Sequence, residues 1–425
     1  MTISERLGVP GTRLVLAWIT WSLGALFYFH AFFQRVAPSV MVGELMQDLG
    51  LSAAALGNLS ALYFWGYGVA QLPTGVLADR WGPRRLLSSA ALICGCGGLL
   101  FAFAESSAAA SLGRLIIGFG AGFGFITTLK IVSVWFPQRR FALLSGLTLM
   151  VGTVGGIAGQ APLAWAVESF GWRGAMTGTA VFALALGCAV WLIVRDHPDT
   201  AETQGSVETP HLFRDIGQLL RQSQTWIIAA AGFASVGSLF AFGALWGVPY
   251  LMEVRDLSRP AAAASMSMML FGWALGAPLI GWISDHLARR KMPFVVSATG
   301  AFISIFLLLN ISNLSLWMID ALLFINGAFS AGLVVAFAMV RENSKAHTAG
   351  SAMAFLNIGV ITSGAVLQPL IGWLLDLNWD GRFEAGRRLY SPEAYENALW
   401  VLPACAGLAV ILTLFTREPR TRKSG

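Results

Sequence analysis

The sequence predicts an all-α integral membrane protein: twelve transmembrane helices in two pseudo-symmetric six-helix bundles. Three observations carry this expectation. The 425-residue chain is 56% hydrophobic and only 12% charged, about half the ~25% charge of a soluble domain. Apolar runs near the ~20 residues needed to cross a bilayer recur twelve times along it. A charged, glycine-containing turn between the second and third runs is echoed 206 residues later.

The runs fall at roughly 14–43, 53–78, 86–104, 107–136, 141–168, 172–194, 225–252, 260–284, 292–312, 314–340, 349–375 and 397–416. Arg13 leads straight into the first without a small-residue cleavage pattern, so that run is read as a retained span. Sixteen Trp and 47 Gly suit interfacial aromatic anchors and close helix contacts. The polar stretch 195–224, with Pro198 and Pro210, is the expected linker between a first bundle at 1–194 and a second at 225–425. Within it, 212–220 has the amphipathic spacing of a helix lying along the membrane surface.

Lysine and arginine set the orientation. With the N-terminus inside, the inner segments hold 19 of the 28 basic residues and the outer segments 6. Both termini are therefore expected in the cytoplasm, with the chain in the inner (cytoplasmic) membrane of the cell. The formal net charge of +6 does not imply nucleic acid, because the basic residues fall at helix ends.

The two halves align. Gly75 and Asp79 stand 206 residues before Gly281 and Asp285, and Gly146 stands 204 before Gly350. Gln160-Ala-Pro-Leu in span five answers Gln368-Pro-Leu in span eleven. Six spans per half make the repeat parallel, about an axis along the membrane normal. Such bundles, facing each other across a cavity, have a transporter's architecture.

The turn itself is the most specific feature. Gly75, Leu77, Ala78, Asp79, Arg80, Gly82, Arg84 and Arg85 follow the pattern G-x-L-A-D-R-x-G-x-R-R, which resembles the signature loop of the major facilitator superfamily. Arg114, Gly118, Gly120 and Gly122 in span four resemble that superfamily's R-x-x-x-G-x-G-x-G element. The resemblance implies alternating access around a central site lined by spans one, four, seven and ten. It also implies that Asp79 pairs at a helix end and with an arginine of the opposite span. Asp79, Arg80, Arg84 and Arg114 would thus gate the cytoplasmic side, where a loop that merely fixes topology is the plainer reading. Asp285 and Arg289 are the expected weaker partners in the second half, where His286 replaces Arg80 and no glycine matches Gly82. Ile157 stands where antiporters of the family carry a proline, which weighs against drug/proton antiport.

Intramembrane polar residues supply the candidate site. In span one, Tyr28 and Arg35 share one helical face, and His30 lies on another with Phe27 and Gln34. Arg35 contacts substrate or snorkels at the margin; Lys130 faces a cavity anion or snorkels to the inner surface. Arg35, Arg114 and Lys130 outnumber the one acid well inside a span, Asp320. That surplus favours an anionic solute, a carboxylate held by charge-assisted hydrogen bonds. Asp320 is either a proton-coupling group or the partner of Arg114, and His30 is a second candidate for titration near neutral pH. Gln160, Gln368, Asn357 and Asn326 suit interhelical hydrogen bonding or substrate contact. Trp246 and Tyr250 suit an outer gate with Phe33, or simple packing.

Proton-coupled uptake of a small organic anion by a monomer in the lipid bilayer is the resulting expectation. Proton-driven efflux of a drug-like or siderophore-like compound is the alternative. No HExxH, no Ser-His-Asp grouping and no phosphate-binding nucleotide loop occurs, so neither enzyme chemistry nor ATP drive is expected, and no cofactor or metal. Cys94 and Cys96 lack the second pair that a zinc site requires.

Overall fold

Backbone N–H and C=O groups have no water to bond in hydrocarbon, so spanning segments close their hydrogen bonds internally as helices. The computed structural model describes residues 11–196, 222–344, 349–384 and 386–418. Most of the expected linker, from 197 to 221, lies outside them, and with it the segment 212–220.

The first half comprises α1 (Gly11–Val36), α2 (Val42–Asp48), α3 (Ala53–Ala102), α4 (Ser107–Gly122), α5 (Gly124–Trp135), α6 (Phe141–Ala158) and α7 (Ala161–Ile193). The second half comprises α8 (Ser223–Ser235), a π-helix at Ser238–Trp246, α9 (Gly247–Glu253), α10 (Arg259–His286), α11 (Lys291–Asn310), α12 (Leu316–Ser330), α13 (Leu333–Asn343) and α14 (Ala349–Leu377). A short antiparallel hairpin, β1 (Phe383–Glu384) with β2 (Arg387–Arg388), then leads to α15 (Pro392–Leu399) and α16 (Val401–Leu414).

Eleven helical segments among the described residues are long and apolar enough to span. One of them, the 50-residue α3, holds two spans on either side of Gly82, whose φ of 79° and ψ of 159° break the helix. The count is therefore twelve, as the sequence predicts. Gly171, at φ 71° and ψ 160°, makes the equivalent break inside α7. The helix also breaks at Gln160, ahead of Pro162, so span five is made of α6 and the start of α7.

The chain divides into two units. One groups Met1–Ala37 with Leu62–Ser206, the other Pro38–Ala61 with Val207–Gly425. In the first, α1 packs on α5 and α6, with Val132, Phe136 and Leu144 buried beneath Trp18 and Trp21. In the second, α10, α11 and α12 pack together and α8 lies against α14 and α16. There Phe294, Leu333, Met339 and Leu356 form the buried centre. Between lipid-bathed helices this packing, not release of water, supplies the cohesion. Large side chains such as Leu72, Leu192, Trp282 and Trp317 are left exposed, as surfaces meeting lipid should be.

Candidate functional site

Arg35 closes the last turn of α1. It is 7% exposed, and its guanidinium carbon lies 4.3 Å from the Phe32 ring centre, 5.1 Å from Tyr67 and 5.9 Å from Tyr63. Arg114, from α4, is fully buried. Its guanidinium carbon stands 5.1 Å from the same Tyr63 ring, so the two cations lie within about 11 Å of each other. Tyr63 is held beside both because its hydroxyl donates to the Ala31 carbonyl at 2.6 Å.

Charge balance is what makes this cluster unusual. Arg114 donates from Nη1 to the Gln34 carbonyl oxygen at 2.8 Å, while its buried Nε and Nη2 have no hydrogen-bond partner. Cation–π attraction contributes about 0.5–2 kcal/mol, whereas the effective cost of desolvating an ion is several kcal/mol. Ring faces and one carbonyl do not offset the fully buried Arg114 guanidinium, whose Nε and Nη2 are left without a partner. An anion would.

Tyr28 is on the Arg35 face of α1, as helical periodicity predicts. It is 4% exposed and packs against Phe32 and Phe125 at 4.9 and 5.1 Å between ring centres. His30 turns the other way. It is 2% exposed, stacks on Phe33, meets Phe182 of α7, and has Nε2 3.4 Å from the Gln34 amide nitrogen. That amide also donates to Thr179 at 3.1 Å. His30 therefore lies among groups that tie α1 to α7, beside the residue whose carbonyl accepts from Arg114.

Lys130 forms an ion pair with Asp79 at 2.8 Å, the two side chains being 36% and 60% exposed. The sequence suggested an arginine of the opposite span for Asp79 and an anion or the inner surface for Lys130; the structure joins the two within the first unit. An exposed pair of this kind contributes about 0–1 kcal/mol. Arg80 is exposed. Arg84 ties the turn to the end of α7: its backbone N–H donates to Asp196 at 2.8 Å and its Nε to the Trp191 carbonyl at 2.8 Å.

The second copy of the turn uses Arg290, not Arg289. Arg290 reaches Asp285 at 2.6 Å and Glu342 at 2.7 Å, and the Glu342 hydrogen bond, against some burial, holds its pKa above the ordinary arginine value. Arg289 is exposed. Glu418 accepts the backbone N–H groups of Arg290 and, at 2.9 Å, Lys291. Glu418 thus does for α11 what Asp196 does for the segment beginning at Arg84. The offset of 206 already pairs Arg84 with Arg290, a signal that alignment by charge alone missed. Ala288 occupies the position of Gly82 and still adopts φ 47°, so the left-handed turn survives without its glycine.

In the second unit, Gln368 is fully buried and bonded through its side-chain nitrogen and its backbone carbonyl, while its Oε1 has no hydrogen-bond partner. Its side-chain nitrogen donates to the Phe240 carbonyl at 2.7 Å, and its backbone carbonyl accepts from Trp246 Nε1 at 3.0 Å. Both partners lie on the π-helix, so these two expected site residues are joined to each other. The Tyr250 hydroxyl accepts from Arg255 at 3.1 Å. Asn326 bridges Ser238 and Ser304. Gln160 is fully buried and Asn357 half-buried. Asp320 belongs to this unit, and its buried Oδ1 has no hydrogen bond. Tyr63, Tyr67 and Gln34 were missed as site residues. The four-residue spacing of the tyrosines is visible in sequence, but a carbonyl acceptor is not.

Two six-span repeats with buried charge inside them define a multi-pass membrane transport protein, not an enzyme. The chain belongs to the Major Facilitator Superfamily, whose family model matches residues 24–309 and again 233–425. It is 25% identical to a probable hexose phosphate transport protein of Chlamydia trachomatis, over 93% of this chain and 89% of that one. It is 23% identical to the probable sulfoacetate transporter SauU of Cupriavidus necator, over 83% and 85% of the two chains. The fold is also that of a bacterial homolog to the human lysosomal transporter Spinster, solved inward-facing and unoccupied. That likeness has a TM-score of 0.77 at 18% identity and covers 94% of this chain and 95% of that one.

Proposed function

We propose that this protein carries a small organic anion across the cytoplasmic membrane by alternating access, as a proton-coupled symporter. The observation that carries the reading is the pair of buried guanidiniums, Arg35 and Arg114, 5.9 and 5.1 Å from the Tyr63 ring centre, with Arg114 keeping two nitrogens without a hydrogen-bond partner. An anion with two charged ends, a dicarboxylate or a carboxylate paired with a sulfonate or phosphate group, meets one guanidinium with each end through charge-assisted hydrogen bonds. The relatives named for hexose phosphate and sulfoacetate support this class of cargo. Tyr67 stands 5.1 Å from the Arg35 guanidinium carbon, and Tyr28 shares the Arg35 face of α1. Asp320, whose buried Oδ1 has no hydrogen bond, carries the coupling proton, and the turns at Asp79 and Asp285 gate the cytoplasmic side. The protein works as a monomer with both termini in the cytoplasm.

The test is uptake of labelled mono- and dicarboxylates, sulfonates and phosphate esters into proteoliposomes, with and without an imposed pH gradient. The reading predicts saturable uptake of at least one dianion, accelerated when the outside is acid. Absence of uptake for every anion, or extrusion of apolar cations instead, contradicts it.

A further inference from the structure

One segment groups with the wrong half. Pro38–Ala61 lies in the first repeat by sequence, yet it packs into the unit formed by Val207–Gly425. The contacts holding it there are specific. Asp376, near the end of α14, accepts the backbone N–H groups of Ala53 and Ala54 at 3.2 and 3.0 Å. Its carboxylate thereby caps the N-terminus of α3, a helix from the other repeat, where orphan N–H groups and the helix dipole favour negative charge. Tyr390 completes the cap by donating to Asp376 at 2.5 Å while accepting from Ala53 at 3.0 Å. Arg388, on the hairpin, reaches the same Oδ1 that Tyr390 and Ala53 use, at 3.3 Å. Burial, and then the hydrogen bond to Asp376, raise the pKa of Tyr390 above the ordinary tyrosine value, so the phenol stays protonated and able to donate.

Two further contacts clamp the same segment. Glu44 of α2 pairs with Arg259 at 2.6 Å. Where α3 crosses α14, the backbones touch: a Cβ on Gly57 would lie 2.5 Å from the Gln368 carbonyl oxygen, and one on Gly372 would lie 2.2 Å from that of Ala53. No side chain fits at either place. A cavity of about 50 Å³ lined by Glu44, Arg259, Arg387 and Tyr390 lies alongside, room for a few waters that can compete for these polar groups.

We propose that Asp376, Tyr390 and Arg388 form a latch that closes this end of the transport path by capping α3. α3 starts in one unit and continues from Leu62 into the other, so the cap has to be released whenever that end opens. The inference rests on the alternating-access reading for its role in transport, but not for its test. In the latched state the segment 38–61 moves with the second unit; once the cap is lost, it follows its own repeat.

Spin labels on Gln47→Cys and Asn397→Cys, both exposed sites, with the native cysteines replaced, report the latch directly. In reconstituted protein the parent gives one short-distance population. Asp376→Asn, Tyr390→Phe and Gly372→Ala each raise a longer-distance population at least threefold. Asp380→Asn, which loses only a local pairing with Arg382, does not. Because Gly372→Ala also risks misfolding, the two isosteric variants, checked for unchanged thermal midpoint, decide the matter. Distance distributions that match the parent in both overturn the latch. If those variants shift the distance while no anion is transported, the anion reading fails and the latch stands.

Discussion

Arg290 and Arg289 are neighbours with opposite surroundings, and that contrast gives a sharp prediction. Arg290 forks onto Glu342 and reaches Asp285, while Arg289 is exposed. Losing a hydrogen-bonded charge partner typically costs about 1.5–3 kcal/mol, trimmed here because Glu342 and Asp285 are largely solvated. Arg290→Gln is expected to lower the thermal midpoint measurably, whereas Arg289→Gln leaves it in place; a reversed order would show that the charge pairing is incidental. Ala288 tells a related story. It holds φ 47° where the first copy has Gly82, and a left-handed alanine costs about 1–2 kcal/mol, partly offset by the entropy glycine loses on folding. Ala288→Gly should stabilise the protein by up to ~1 kcal/mol without changing transport, as read by a thermal shift and an uptake assay. At this scale charge counting found the arginines of the membrane interior but not their partners. Gln34 acts on Arg114 through a backbone carbonyl, which has no signature in sequence, and Tyr63 matters because its ring lies near both cations.

Among the elements, the π-helix at Ser238–Trp246 is the least expected. π-helices are rare, mostly single turns at functional sites, and nothing in the apolar run of span seven marks one. Its register is held by Gln368, which bonds Phe240 and Trp246 together. Breaking a buried hydrogen bond and stranding its partner costs about 1–3 kcal/mol, so Gln368→Leu is expected to destabilise the protein by that order in urea unfolding. An unchanged stability for Gln368→Leu would mean that span seven holds its register unaided. The spans themselves were legible because hydrocarbon demands long apolar runs, and the turn at Gly82 because so dense a charge cluster cannot sit in hydrocarbon. The hairpin at Phe383–Arg388 was not legible: two residues per strand carry no periodicity, and its work is done by Arg388 and by Tyr390 just beyond it.

For the whole molecule, the repeat is the organising fact. The offset of 206 residues maps one charged turn onto the other, and the structure extends the correspondence to Asp196, which accepts the Arg84 N–H, and Glu418, which accepts those of Arg290 and Lys291, at the start of the span after each turn. Symmetry ends at the cargo. The first repeat concentrates buried positive charge around Tyr63, whereas the second offers Gln368, Asn326 and Asp320, and an anion carrier needs only one such cationic pole. Equilibrium binding tests that claim most directly: titrate detergent-purified protein with the dianion found by uptake, then repeat with Arg35→Gln and Arg114→Gln. Each single neutralisation is expected to weaken affinity at least tenfold, about 1.4 kcal/mol, and the double variant to abolish binding, while the folded fraction stays unchanged. Affinity within twofold of the parent in both single variants would contradict an anion site built on these two arginines.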